Sequence, residues 1–139
     1  MSARRAVILL AFSASLLAPA GSLAAPSVGT PEQIAWVRRA ATNFVNAELA
    51  GNGAGACGIL NAPLRATHNR TTCEQRWDAR LKRMLRTPAE RRLLHSQLRA
   101  IASARVVVHG NVASLGVGTP LFNGPNHFLW TEMCWMLEG

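Results

Sequence analysis

Few side chains in this 139-residue chain have the types and spacing that chemistry needs. The chain has no tyrosine, and its one aspartate, Asp78, lies among arginines on the predicted polar side of a helix. The remaining candidates for acid–base catalysis are His109, His127 and Glu132. Each also has an ordinary structural interpretation, at a hairpin flank, in a loop and in a turn respectively. The sequence therefore favours a protein that is not an enzyme.

Other reaction types find little support in the residues. A Ser-His-Asp triad would have to recruit Asp78, and there is no Gly-x-Ser-x-Gly turn to present a serine. The four histidines form no i, i+4 pair and there is no Cys-x-x-Cys, so neither a metal site nor a cofactor is predicted. The glycines at 51, 53 and 55 follow no strand and indicate a turn rather than a phosphate-binding loop.

The three cysteines allow three pairings, each of which leaves one thiol over. Cys57 and Cys73 are the favoured disulfide partners, because they lie in adjacent helical segments and the glycine-containing helix around Cys57 needs a tether. This link would close a loop of about 15 residues and stabilise the fold by roughly 3 kcal/mol. Cys134 is then expected to be a reduced thiol in the core of the last strand. Three buried and reduced cysteines are the alternative.

The N-terminus has the pattern of an export signal. Arg4 and Arg5 precede an apolar run from Ala6 to Leu17, and small residues follow. The run is about 12 residues long, whereas a helix that spans a bilayer needs roughly 20. We expect residues 1–24 to be a signal peptide and residues 25–139 a single domain, secreted or extracytoplasmic and without stable membrane insertion after processing.

Positive charge is concentrated in the middle of the chain. Residues 65–105 contain eleven basic and three acidic residues, a net charge of +8, whereas the rest of the mature chain carries −2. Such a region could bind polyanions, for example nucleic acid or acidic polymers. Arginines that only solvate exposed helix faces are the simpler interpretation, because no aromatic-interleaved RNA-binding motif accompanies them.

Amphipathic segments predict helices in the first three quarters of the chain. The first is the best marked, since Thr30 is a predicted N-cap with Gln33 in the capping-box position and Gly51 follows its end. Its apolar stripe consists of Ile34, Val37, Ala41, Phe44, Val45 and Leu49. The expected helices cover residues 31–50, 54–60, 73–85 and 88–102, the third capped by a Thr-x-x-Glu pattern that begins at Thr71.

After residue 104 the apolar pattern changes from helical to strand-like. Residues 105–109 and 112–117 flank Gly110-Asn111, a two-residue turn signal that predicts a β-hairpin. Two further short strands are expected at 128–130 and 134–137. Helices followed by antiparallel strands predict the α+β fold class, with N-terminal helices packed on the sheet.

These motifs together follow the layout of a known superfamily. A capped helix ends in Ala-Gly-Asn-Gly, one cysteine lies in the short helix and another at the next helix start, and Val-Val-Val-His-Gly-Asn-Val-Ala precedes a Trp-x₄-Trp strand pair. From Thr30 to Leu137 the chain resembles exported actinobacterial members of the cone-shaped superfamily named for nuclear transport factor 2, which also holds ketosteroid isomerase and polyketide cyclases. The resemblance implies a curved, cystatin-like sheet around helices, with a pocket that relatives use for catalysis or binding.

The aromatic residues could line such a pocket, although large aromatics at this spacing more often form core. The sequence therefore predicts a secreted protein that binds a small apolar ligand or a protein partner without catalysis. Polyanion binding through residues 65–105 and an isomerase- or cyclase-like activity are the alternatives. Arginines clustered on one face would favour the first, and an enclosed apolar cavity with a buried acid or histidine the second. The aromatic set is Trp36, Trp77, Trp130 and Trp135 with Phe44, Phe122 and Phe128.

Overall fold

The computed structural model describes residues 26–60, 70–118, 120–121, 126–131 and 134–138. The helices are α1 (Pro31–Leu49), α2 (Gly53–Ile59), α3 (Arg70–Met84) and α4 (Pro88–Ser103), and the strands are β1 (Arg105–His109), β2 (Val112–Gly116), β3 (His127–Trp130) and β4 (Trp135–Glu138). Helices precede an antiparallel sheet, so the α+β prediction is confirmed. The predicted signal peptide lies outside the described residues.

Helix α1 is the central element, in contact with α2, α4 and three of the strands. Its predicted capping box is present: the backbone N–H of Gln33 donates to the Thr30 side chain, and the Thr30 N–H donates to the Gln33 side chain. Four residues of the predicted stripe, Val37, Ala41, Phe44 and Val45, are completely buried. The spacing of apolar residues thus orients α1 on the core.

Helix α2 is short and is held from outside. Cys57 and Cys73 form a disulfide between α2 and α3, the pairing that the sequence favours. The Gly53 N–H donates to Asp78 Oδ1 at 3.0 Å, which gives the aspartate a structural role. A Cβ at position 53 would collide with Asp78 and with the Glu74 carbonyl oxygen, so this close approach of α2 to α3 requires glycine.

Two predicted helix starts differ in detail from the observed ones. Helix α3 begins at Arg70, so Thr71 lies inside the helix and is not its N-cap. Thr-x-x-Glu also fits a first helical turn, and local patterns place helix ends only to within a few residues. Helix α4 begins at Pro88 as predicted, but the Thr87 hydroxyl donates to the Met84 carbonyl instead of capping α4.

The strands form an antiparallel meander in the order β1-β2-β3-β4. The predicted hairpin joins β1 to β2, with Gly110 at φ +58° in its turn. The outer edge of β1 pairs with Val28, and the outer edge of β4 pairs with Leu60. The helices contact one face of the sheet, where the buried side chains are Val106, Val108, Ala113, Leu115, Phe128, Trp135 and Leu137.

Cys134 is free, as predicted, but its predicted place in the core is wrong. It lies just before β4, and its side chain is exposed. The apolar stretch from Met133 to Leu137 suggested a strand that begins at 134, whereas pairing with β3 begins at Trp135 opposite Trp130. The backbone N–H and carbonyl of Cys134 instead bond to Thr131 in the turn.

Candidate functional site

Three tryptophans, Trp36, Trp130 and Trp135, form a cluster that we call the tryptophan surface. The ring centroids of Trp36 and Trp130 are 5.4 Å apart, and those of Trp130 and Trp135 are also 5.4 Å apart. Both distances are typical of interacting aromatic pairs. Trp135 is buried and Trp130 half-buried, but Trp36 keeps 38% of its side chain exposed. The cluster therefore connects the core to solvent.

Backbone register explains how this surface forms. Trp130 and Trp135 are directly opposite each other at the end of the β3–β4 pair, which brings their side chains together on the helix-facing side. Trp36 precedes the buried stripe of α1, which begins at Val37, by one residue. A rotation of about 100° per residue turns Trp36 away from the core and towards the edge of the sheet.

Two clefts flank Trp36, and both also contact Trp135. The first has a volume of about 290 Å³ and the second about 330 Å³. These volumes are at the lower end of the range for small-molecule sites. Besides the two tryptophans, the first cleft is lined by Arg39, Ala40, Asn43, Gly58, Ile59, Cys134 and Met136, and the second by Glu32, Gln33, Gly110 and Trp130.

A third cleft, which we call the Glu48 cleft, lies at the other end of α1. Glu48 and Trp36 are twelve residues apart, which corresponds to about 18 Å along the helix axis. The cleft has a volume of about 290 Å³. It is lined by Glu48 of α1, Arg80 and Met84 of α3, Glu90, Leu93, Leu94 and Gln97 of α4, and Pro120 and Leu121.

Glu48 is the one acid that is buried among the described residues, with 2% of its side chain exposed. Burial raises the pKa of the Glu48 carboxyl from 4.5 to about 7, because desolvation disfavours its charged form. The positive charge of Arg80 favours the ionised form and offsets only part of this rise in pKa. Near neutral pH the carboxyl can therefore hold or release a proton.

Arg80 is positioned by its own helix. Its guanidinium carbon lies 5.0 Å from the centroid of the Trp77 ring, and its Nε donates to the Met84 sulfur at 3.4 Å. On the opposite wall, Gln97 Nε2 donates to the Pro120 carbonyl oxygen at 3.2 Å and so connects α4 to the segment after β2. These contacts fix the Arg80 guanidinium and the Gln97 side chain in the cleft that Glu48 also lines.

The structure does not bring the catalytic candidates from the sequence together. His109 and His127 alternate with the buried residues of β1 and β3 and so lie on the sheet face that points away from the helices. His109 is exposed, and His127 is half-buried beside Ser114 and Glu138. Glu132 lies outside the described residues. Neither histidine lines the clefts at Trp36 or Glu48.

The aromatic prediction is correct for most members of the set and wrong for one. Phe44, Trp77, Phe128 and Trp135 are buried core residues, as favoured. Trp36 is not core, because its neighbour Val37 already occupies the core-facing position of that turn. Trp130 is half-buried and packs against the core, and Phe122 lies outside the described residues.

Sequence reasoning missed Glu48, although the sequence contains a signal for it. Glu48 follows Phe44 by four residues and Val45 by three, so it occupies a position of the apolar stripe. The predicted stripe instead continued to Leu49, which is only partly buried. An acid at a position that the helical period assigns to the core indicates a candidate site.

The described part of the chain contains no group of three or more His, Cys, Asp or Glu residues that could hold a metal ion. None of the helices it contains has the length and apolar character needed to cross a membrane. No protein-family model matches the chain, and neither the search of curated proteins nor that of solved structures found a match.

Proposed function

We propose that this is an exported, non-enzymatic binding protein that takes a small, flat, uncharged apolar ligand at the tryptophan surface. The observation that carries the proposal is the exposed ring of Trp36, which packs on Trp130 between two clefts. A flat ligand in either cleft would contact the ring of Trp36 and also that of Trp135. Aromatic side chains supply large contact areas with little conformational freedom to lose.

Size favours a small ligand over a protein partner. A stable protein interface covers about 800 Å² on each partner. Among the described residues, the exposed large apolar side chains are few and are spread over four parts of the chain: Val28 precedes α1, Trp36 is in α1, Leu93 is in α4 and Val112 is in β2. The two clefts offer concave walls for a ligand of modest size instead.

Catalysis at the tryptophan surface has no support in its titratable groups. The ionisable residues that line the two clefts are Glu32, Arg39 and Cys134, and all three are exposed. General acid–base chemistry at neutral pH usually needs a group whose pKa is shifted by burial or by a close charge. Binding without reaction is therefore the better-supported role of this surface.

The isomerase- or cyclase-like alternative rests on Glu48. An enzyme of this class is expected to hold a buried acid inside an enclosed apolar cavity. Glu48 is a buried acid. Arg80 and Glu90 line the Glu48 cleft beside the acid, so the cleft is not apolar. This alternative is therefore weaker than binding.

Export is supported by two features. Residues 1–24 have the pattern of a signal peptide. The Cys57–Cys73 disulfide is of the kind that persists in oxidising compartments. The resemblance to the nuclear transport factor 2-like superfamily remains a prediction, and it would give the chain relatives that bind ligands between helices and sheet.

Titration with N-phenyl-1-naphthylamine, a flat, uncharged fluorophore, tests the proposed function. We expect saturable binding that weakens by about 30-fold in Trp36→Ala, because a central tryptophan typically contributes 2 kcal/mol or more. Val112→Ala is the matched control, since Val112 is similarly exposed at 37% but lies on the far face of the sheet. Equal affinity in both variants and the parent protein would refute binding at the tryptophan surface.

Native mass spectrometry of protein recovered from the medium provides a second test. We expect a chain that starts at or near Ala25 and carries a bound small molecule that Trp36→Ala loses. A bound protein in place of a small molecule would contradict the proposed ligand class. A chain that retains Met1 in a membrane fraction would contradict export.

A further inference from the structure

Glu48 is buried at an energetic cost that Arg80 offsets only in part. Burying a carboxylate is unfavourable unless hydrogen bonds or an opposite charge compensate. Among the described residues, the positive charge of Arg80 is the interaction that favours the ionised form of Glu48, and it does not bring the pKa back to its usual value. A leucine or methionine at this stripe position would avoid the cost, because apolar replacement of buried charges is often neutral or stabilising.

Arg80 complements Glu48 in the same cleft. Its Nε is used by Met84 and one face of its guanidinium by Trp77. Within the described residues its two terminal nitrogens donate to no acceptor. The cleft therefore offers a positive group with unused donors, fixed by packing on Trp77, beside a buried acid.

The remaining walls decide the size and polarity of a ligand. Leu93, Leu94 and Leu121 supply an apolar surface, and Glu90 adds a second acid. A volume of about 290 Å³ admits only a small molecule. An anion alone would meet two acids, and a cation alone would meet Arg80. A molecule that carries both charges can place its ammonium group on an acid and its carboxylate on Arg80.

We propose that the Glu48 cleft binds a small zwitterion of the apolar α-amino acid class, with its ammonium group on Glu48 and its carboxylate on Arg80. The apolar side chain of the ligand packs on the three leucines. This site lies about 18 Å along α1 from Trp36 and is independent of the proposed function there.

Isothermal titration calorimetry with three matched probes tests the proposal. Leucine carries both charges, 3-methylbutylamine lacks the carboxylate, and 4-methylpentanoate lacks the ammonium group. We expect leucine to bind at least about tenfold more tightly than either analogue, because each missing partner leaves one charged group of the cleft unsatisfied. If either analogue binds as tightly as leucine, or if leucine does not bind at a concentration on the order of 10 mM, the proposal is wrong.

Variants locate the binding to the cleft. Glu48→Gln and Arg80→Gln should each weaken leucine binding by about tenfold or more. Glu32→Gln and Arg83→Gln are the matched controls, since they change exposed residues of the same two helices that do not line the cleft. Circular dichroism checks that each variant folds. Equal losses of leucine affinity in the control variants would overturn the assignment of binding to the Glu48 cleft.

Proton release gives a readout that a purely structural role of Glu48 would not produce. An ammonium group on Glu48 stabilises its ionised form, so ligand binding lowers the pKa of Glu48 and releases a proton. The charged groups that face Glu48 in the cleft are Arg80 and Glu90. We expect the affinity for leucine to rise roughly tenfold between pH 6 and 8. An affinity that is constant with pH, or falls, contradicts the placement of the ammonium group.

Discussion

Each end of α1 carries a side chain whose exposure is unusual for its type. At its N-terminal end, Trp36 leaves part of a large apolar ring in solvent, although the ring packs on Trp130. At its C-terminal end, Glu48 places an ionisable group in the interior. Each arrangement has a cost that an ordinary residue would avoid. This shared feature, on one helix and with opposite chemistry, marks both regions as candidate sites.

The difference between them shows how each site is supported. Two of the three residues of the tryptophan surface, Trp130 and Trp135, lie on one strand pair and are fixed by their register. The Glu48 cleft depends on residues far apart in the chain, because α3 and α4 contribute opposite walls. We therefore expect the Glu48 cleft to be more sensitive to changes in the core.

Substitution of Trp77 should have the largest effect on stability and should disrupt the Glu48 cleft. Trp77 is 5% exposed, packs edge-on to Phe44 at 5.6 Å and supports Arg80. Trp77→Ala should destabilise the protein by about 3–5 kcal/mol. Trp36→Ala, the matched tryptophan substitution at the other end, should cost about 1 kcal/mol or less because its ring is partly exposed.

Urea denaturation of both variants measures this contrast. Similar losses of free energy of unfolding in Trp36→Ala and Trp77→Ala would mean that the tryptophan surface is a structural element and not a surface left open for a ligand.

A change of pH is expected to have a smaller effect on the free energy of unfolding, and this effect should arise at the Glu48 end of α1. The pKa of Glu48 is raised in the folded state, so the folded protein binds more protons than the unfolded chain over the range between 4.5 and about 7. This contribution to stability is fully present below pH 4.5 and is lost as the pH rises through 7. Between pH 5 and 8 it should lower the free energy of unfolding by about 2 kcal/mol.

Urea midpoints of the parent protein and of Glu48→Gln, measured at several pH values, test this dependence. In Glu48→Gln, most of the decrease in the free energy of unfolding should be absent. In Glu32→Gln, at the other end of α1, the decrease should remain. A decrease that survives in Glu48→Gln would show that another group is responsible.

The smallest effect concerns polyanions. Lys82, Arg83, Arg92 and Arg99 are exposed, but they are divided between α3 and α4, and Arg91 also donates to the Leu85 carbonyl oxygen. We expect only weak heparin binding, which falls steeply between about 50 and 200 mM salt. Arg92→Gln combined with Arg99→Gln should reduce this binding, while Trp36→Ala and Glu48→Gln leave it unchanged. Retention at high salt would favour polyanion binding as the main function.

Local sequence signals predicted the elements well, because their causes are local. The capping box at Thr30 and the Gly110-Asn111 turn depend on residues within a few positions of one another. The disulfide was predictable because the chain offers Cys57 a near partner in the next helical segment. The prediction for the start of α3 was less accurate, because a Thr-x-x-Glu pattern fits both an N-cap and a first helical turn.

The candidate sites were harder to predict, because they depend on contacts between distant residues. Nothing near Glu48 in the chain shows that Arg80 and Gln97, 32 and 49 residues later, form the walls of its cleft. Trp36 looked like one more core aromatic, since its exposure depends on which side of α1 the sheet covers. Only the helical period, which assigns position 48 to the core, could have identified one of them.

The two isolated pairings at the margins of the sheet affect how copies of this protein behave at high concentration. An unpaired edge strand is a template for strand addition and aggregation. Here Val28 bonds to the backbone of Val106 and Val108 along β1, and Leu60 pairs with Leu137 on β4. A second copy would have to displace the chain's own backbone at both margins. The short segment before α1 thus occupies backbone groups at the outer edge of β1, and its removal would expose them to a second copy.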